Sequence, residues 1–433
     1  MIASPKVSER LVIEGGHALS GVITPSGNKN AALPMLAMCL LTTDEVVLTN
    51  VPDIVDVRVM ISLLGKLGVE TAWEEPNTVR LRAAEIIHSD LDSELCARLR
   101  ASLLLAGPLL ARRGEVEVPL PGGDFIGRRR VDSHLLAFRA LGAEIEAGRT
   151  YRIAHDGLSG ADIYLDEASV TATENTLMAA VLAPGVTRVI NAAGEPHVQD
   201  LARALVGMGA SIAGIGTNAL TIEGVDALHG GRFAVGPDHI EIASFIGLGA
   251  ITGSDLEIPG VRAEDLWMIN LTFERLGIRV EIEDGTLRVP PDQNLRVVAD
   301  EGQAIPKIDD GPWPQFPADL TSIATAVATQ AHGTVMIFEK MFENRLFFVD
   351  KLVAMGGRIV LCDPHRAVVS GPAELHGERL ESPDIRAGMA MLIAALVARG
   401  ESTIGNIIQI DRGYERIDER LRAVGARVER RDD

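Results

Sequence analysis

A short pattern recurs six times along the chain, and it limits the possible folds more than any other feature. A helical run ends in an apolar residue and glycine, and a strand-like stretch follows. The copies are LLGKLGV at Gly68, FRALGAEI at Gly142, LVGMGASI at Gly209, FERLGIRV at Gly277, LVAMGGRI at Gly356 and LRAVGARV at Gly425. These glycines lie 74, 67, 68, 79 and 69 residues apart. Glycine at that place fits a left-handed turn that closes a helix and sends the chain back as a strand. Upstream of each copy runs a more strongly apolar helical stretch, over 30–41, 98–113, 173–183, 240–251, 319–331 and 386–398. Strand-like runs follow these, such as VVLTNV from Val46, VEVPL from Val116 and TVMIF from Thr334. Helices apolar nearly all round belong inside a domain, whereas the second helices, such as 418–424, are amphipathic and suit an outer position. Each unit of about 70 residues therefore reads strand, buried helix, strand, outer helix, strand, strand. Six units in 433 residues predict an α/β protein of two domains, each with three sheets around a bundle of buried helices.

The net charge of −19 argues against a nucleic-acid or anionic-membrane partner. Against that background one stretch is locally basic: LPGGDFIGRRRVD, from Leu120 to Asp132, with Asp124 near its tip and Arg128, Arg129 and Arg130 in a row. Its glycines, between a strand-like run and a helical one, predict a mobile cationic loop. Such a loop suits a small anionic substrate, the plain alternative being a solvated basic loop. Cys39, Cys96 and Cys362 are far apart, and the ten histidines form no ligand pattern, so neither a metal nor a cofactor is expected. The longest apolar runs, such as 389–398, are too short to span a bilayer, and Met1 to Arg10 is polar. A reducing, cytoplasmic setting without disulfides is the expectation. Gly207, Gly209, Gly214 and Gly216 follow a helix rather than open one, which excludes a dinucleotide loop.

Each buried helix begins with polar residues: Asn28-Lys29-Asn30, Arg98 and Arg100, Thr173-Glu174-Asn175, Asp238-His239, Asp319, and Asp384 with Arg386. Helix N-termini carry partial positive charge and free N–H groups, so rims built from them attract anions. Asp319 and Asp384 read first as N-caps. Ser26-Gly27-Asn28 forms a tight turn that aims Lys29.

SGNKNAALP, LRASLLLAGPLLAR, PGGDFIGRRRVD, FPADL, MFENR, SPDIRAG and IDRGYERI occur in that order over almost the whole chain. Together they resemble the motif set of the UDP-N-acetylglucosamine enolpyruvyl transferases, relatives of EPSP synthase. The resemblance implies an inside-out α/β barrel of two domains, each of three related βαβαββ units. One domain would hold residues 1–28 and 237–433. The other would hold 29–236 with a mobile loop over 119–132, and the active site would lie in the interdomain cleft. It implies transfer of enolpyruvyl from phosphoenolpyruvate to the sugar 3′-hydroxyl of UDP-N-acetylglucosamine, with release of phosphate. That reaction is the first committed step of peptidoglycan precursor synthesis. No nucleic acid, membrane or obligate protein partner is implied. By the same resemblance Lys29 meets phosphoenolpyruvate, Asn30 places the sugar, and Arg129 and Arg412 hold the phosphate. Arg345 and Arg386 hold the carboxylate, Asp319 is the base for the hydroxyl, and Asp124 is the proton donor. Arg100, Asp132, Ser169, Val170 and Met341 align with nucleotide-sugar contacts. A cluster of arginines is what a substrate with two anionic ends calls for.

The chain departs from the commoner pattern of that family at several positions. Asp124 stands where most members carry the cysteine that fosfomycin alkylates, so insensitivity to that epoxide is expected. Arg130 replaces a proline, Glu167 a lysine, Thr171 a glycine, Gly194 a basic residue and His239 an arginine. The loss of a lysine at Glu167 removes one expected diphosphate contact, for which Arg128 and Arg130 are candidates to compensate. Two other readings compete. EPSP synthase itself shares the chemistry but lacks the PGG-acid-IG loop. A DNA sliding clamp would also use six repeats, but it would need amphipathic helices with basic residues towards its hole.

Overall fold

The computed structural model describes residues 9–123 and 126–432. They form two compact units. Unit 1 comprises 9–26, 126–128 and 237–432, and unit 2 comprises 27–123 and 129–236.

In unit 1 three helices form the centre: His239–Thr252, Thr321–Ala328 and Ile385–Val397. They pack on one another, and almost every residue in them is buried. Close approach needs a small residue at one point, because a Cβ on Gly247 would stand 2.9 Å from the Val327 Cγ2 atom. Three four-stranded sheets surround these helices. Unit 2 repeats the plan around Lys29–Ala37, Ala106–Arg113 and Val170–Ala180. Two four-stranded sheets and one three-stranded sheet surround them. In that last sheet the expected first strand shrinks to a single bridge between Asp90 and Glu117. Apolar helices inside and sheets outside define an inside-out α/β barrel, here two domains of three βαβαββ units.

All six repeat glycines adopt positive φ, from 81° at Gly277 to 105° at Gly209. An L side chain is strained there, so the repeat signature is a backbone requirement.

Two expectations need correction. The six units are not closed consecutive segments, since three sheets borrow a strand from far along the chain. Glu9–Glu14 pairs antiparallel with Glu401–Gly405 and Arg427–Asp432. Ser20–Val22 pairs parallel with Asp255–Pro259, and Gly231–Ala234 pairs parallel with Glu45–Thr49. Strand partners are chosen by long-range packing, which local pattern does not report. The stretch 98–113 is also not one helix. Helix Ser93–Arg98, capped by Asp92, ends at Leu99, which is extended. A 3₁₀ turn over Arg100–Leu105 then leads into Ala106–Arg113. Pro108 explains the fresh start: without an N–H it fits the first turn of a helix but not the interior of a longer one.

Candidate active site

In unit 1 the starts of the three central helices converge. Asp384 caps its helix, its Oδ1 accepting the N–H groups of Arg386 and Ala387 at 2.8 and 2.9 Å. This fixes the first turn, where Arg386 is 5% exposed and its guanidinium lies 5.4 Å from the centre of the Tyr414 ring. Asp319 does not cap. It sits in the 3₁₀ turn Ala318–Leu320, after Pro317, and the following helix has no side-chain cap. Its two oxygens face two arginines instead. Arg345 Nη2 donates to Oδ1 at 2.9 Å, and Arg386 Nε donates to Oδ2 at 3.0 Å. Burial works against the charge on both guanidiniums, but Tyr414, Asp319 and Asp238 around Arg386, and Asp319, Glu339 and Asp384 around Arg345, outweigh it. Both stay cationic and hard to deprotonate.

His239 opens the third helix of this cluster, buried and edge-on to Trp313 at 6.2 Å. Burial first, and Arg386 second, push its imidazole down to about 4, so it is neutral at physiological pH. Arg412 is half-buried beyond helix Ile408–Asp411 and donates to Gln409 Oε1 at 2.8 Å. Met341 is exposed.

In unit 2, Asn28 caps the helix that Lys29 begins, accepting from the N–H groups of Asn30 and Ala31 at 2.8 and 3.2 Å. Asn30 is half-buried. The Lys29 ammonium is buried against Asp56, Nζ to Oδ2 at 2.7 Å. Arg100 donates through Nη2 to the carbonyls of Arg129 and Arg130, at 2.9 and 3.1 Å, and so ties the basic loop to its own turn. Burial lowers the proton affinity of Arg100, while Glu167 supports its charge. Arg130 is already engaged with Asp132 at 3.1 Å and Asp166 at 2.8 Å, which counts against the compensating diphosphate contact expected of it. Ser169 caps Val170–Ala180 through its hydroxyl, which accepts from Ala172 at 3.3 Å. Asp124, expected at the loop tip, lies outside the described residues.

The structure thus brings Asp319, Arg345 and Arg386 together, and Arg100 with the Arg129 backbone. Sequence reasoning missed Asp56, whose only signal was an acid early in the apolar helix Val55–Lys66. It also missed His134, which explains Thr171. Asn175 donates from Nδ2 to His134 Nδ1 at 2.9 Å while accepting the Gly107 N–H at 2.8 Å, so the proton sits on Nε2 and is donated to Thr171 Oγ1 at 3.0 Å. Among the described residues no cluster of His, Cys, Asp and Glu could hold a metal ion, and no helix is long and apolar enough to cross a membrane. Cys39 and Cys96 are buried and Cys362 is exposed, and all three are free.

Two buried guanidiniums beside helix N-termini, here holding the chain's own Asp319 carboxylate, are chemically able to hold a small anion. Residues 13–421 match the EPSP synthase (3-phosphoshikimate 1-carboxyvinyltransferase) family, and the chain belongs to that family. It is 56% identical to the UDP-N-acetylglucosamine 1-carboxyvinyltransferase of Bradyrhizobium diazoefficiens, over 97% of each chain. It is 53% identical to the protein of that name from Treponema denticola, over 96% of this chain and 98% of that one. Among solved structures, the enolpyruvyl transferase NikO from Streptomyces tendae superposes with a TM-score of 0.87 at 24% identity, covering 99% of this chain and 100% of NikO. EPSP synthase from Acinetobacter baumannii superposes at 0.75 and 18%, covering 98% and 100%.

Proposed function

We propose that the chain transfers enolpyruvyl from phosphoenolpyruvate to the 3′-hydroxyl of UDP-N-acetylglucosamine, releasing phosphate, at the first committed step of peptidoglycan precursor synthesis. The observation that carries this reading is the Asp319–Arg345–Arg386 cluster, a ready-made seat for a carboxylate on a chain of this family. The names of its curated relatives support the acceptor.

In this reading Arg345 and Arg386 hold the carboxylate of phosphoenolpyruvate, while Arg129 and Arg412 hold its phosphate. Lys29, steadied by Asp56, adds charge to the same substrate. Asn30, Arg100, Asp132, Ser169, Val170 and Met341 hold the nucleotide sugar. The substrate carboxylate takes the arginines that Asp319 grips, and the freed Asp319 accepts the 3′-hydroxyl proton. The sugar oxygen bonds to the second carbon of phosphoenolpyruvate. The electrons of the double bond take a proton at the methylene carbon, supplied by Asp124. The product of this addition is a tetrahedral ketal. Loss of a proton from its methyl group then restores the double bond as the carbon–oxygen bond to phosphate breaks. Aspartate in place of the loop cysteine leaves no thiolate for fosfomycin to alkylate, so the enzyme is read as insensitive to it.

Nuclear magnetic resonance of the product from phosphoenolpyruvate labelled with ¹³C at its second carbon tests the proposal. A vinyl ether on the sugar 3′-oxygen is the expected product, and unchanged phosphoenolpyruvate would overturn it.

A further inference from the structure

Behind Arg345 lies a second pair of acids that the reaction does not use. Strands Lys307–Asp309 and Gly333–Phe338 run parallel, with Asp309 opposite Phe338. The next residue of each strand, Asp310 and Glu339, therefore lie side by side at the same end of the sheet. Asp310 is 1% exposed and Glu339 is fully buried. One oxygen of each is satisfied by backbone: Asp310 Oδ1 accepts the Lys340 N–H, and Glu339 Oε1 accepts those of Met341 and Phe342 at 3.3 and 3.1 Å. The other two oxygens, Asp310 Oδ2 and Glu339 Oε2, are buried and accept no backbone N–H, and the one hydroxyl facing them, that of Thr321, is beside Glu339. Arg345 Nε, also without an acceptor, stands 3.8 Å from Glu339 Oε2, beyond hydrogen-bond reach. A single hydroxyl has one proton to give and cannot satisfy two buried carboxylate oxygens, and a proton held in common reconciles them.

We propose that Asp310 and Glu339 share one proton, and that this pair positions Arg345 for the substrate carboxylate. The second half of the proposal rests on the role given to Arg345 above. With the proton in place the pair carries one negative charge, and Arg345 keeps its grip on Asp319 or on substrate. Without it the pair carries two, and the guanidinium is drawn back towards Glu339. Burial pushes the Glu339 carboxyl up, Arg345 opposes the rise and Asp310 adds to it, with the result at about 8. The charged and polar groups facing the pair are Arg345, the Thr321 hydroxyl and the N–H groups of Lys340, Met341 and Phe342. The Lys340 ammonium is turned away to Asp309 and Gln315, at 2.9 and 3.2 Å. The His365 ring hydrogen-bonds the Glu339 carbonyl, at 2.7 Å, rather than its carboxyl. Asp319, Asp384 and Arg386 act on the far side, through Arg345.

Two measurements on the full chain test this. The infrared band of a protonated carboxylic acid should be present at pH 7, should fade as pH rises past 8, and should be missing from the Glu339→Gln spectrum. Subtracting the variant removes other protonated acids such as Glu174, which burial holds well above the carboxylate range. The KM for phosphoenolpyruvate should climb above pH 8 by up to about tenfold per unit, the slope of one proton lost, with kcat little changed. Glu339→Gln and Asp310→Asn should each flatten that climb. An unchanged infrared band in Glu339→Gln, or in Asp310→Asn should the first variant not fold, would overturn the shared proton. A variant with the wild-type pH profile would overturn the positioning role. If Arg345→Lys leaves the KM for phosphoenolpyruvate unaltered, the role of Arg345 fails, while the infrared band still decides the shared proton.

Discussion

Replacing Asp319 by asparagine separates binding from chemistry. The wild-type carboxylate is held by hydrogen bonds of 2.9 and 3.0 Å to Arg345 and Arg386. Its side chain is 30% exposed, so solvent screens part of the interaction and each bond contributes about 1 kcal/mol net. The substrate carboxylate has to displace it. Asparagine fills the same space without the charge and keeps a weaker hold on one arginine. About 1 kcal/mol of competition should therefore disappear, which is about fivefold tighter binding of phosphoenolpyruvate. Turnover should fall by about 10²- to 10⁴-fold, because the amide accepts no proton from the sugar hydroxyl. Calorimetric titration with phosphoenolpyruvate, alongside a turnover assay, reads both effects. Weaker binding in Asp319→Asn would refute the idea that Asp319 occupies the substrate's seat. Turnover within about tenfold of wild type would refute its role as base.

Other outcomes follow from the same geometry. Incubation with fosfomycin should leave the intact mass unchanged and activity undiminished, and a stable adduct would contradict the reading of Asp124. Asp56→Asn should strand a buried ammonium at Lys29 and cost about 3 kcal/mol of stability by denaturant titration; adding Lys29→Met should restore stability but not activity. Burial, reinforced by Arg100, pushes His134 down to about 3, so the native imidazole is neutral while the unfolded one titrates near its ordinary value. The unfolded state then binds the extra proton as pH falls below about 6.5, and stability is lost through that window, by about 2 kcal/mol at pH 5. His134→Gln should be less sensitive to acid in thermal melts, and an unchanged pH slope would contradict the assignment.

The sequence made some features legible and hid others for identifiable reasons. The six repeats could be read because a left-handed helix exit admits little but glycine, and each of those glycines has the expected φ. The borrowed strands could not, since Glu9–Glu14 and Arg427–Asp432 find each other from opposite ends of the chain. Asp319 and Asp384 look alike in sequence, each an acid before an apolar helix. They differ because helix Ile385–Val397 starts directly after Asp384, whereas Pro317 sets a 3₁₀ turn that swings Asp319 towards the arginines. The surroundings of His239 and Thr171 become visible only in three dimensions, beside Trp313 and His134. The partners of Lys29 and Arg345 were invisible because buried ion pairs join residues distant in sequence.

The most direct measurement is phosphate release from phosphoenolpyruvate, with UDP-N-acetylglucosamine, shikimate 3-phosphate and uridine monophosphate offered separately as acceptors, for wild type and for Asp124→Asn. The account predicts release only with UDP-N-acetylglucosamine, and its loss in the variant. Release with shikimate 3-phosphate, or none with any acceptor, would contradict it.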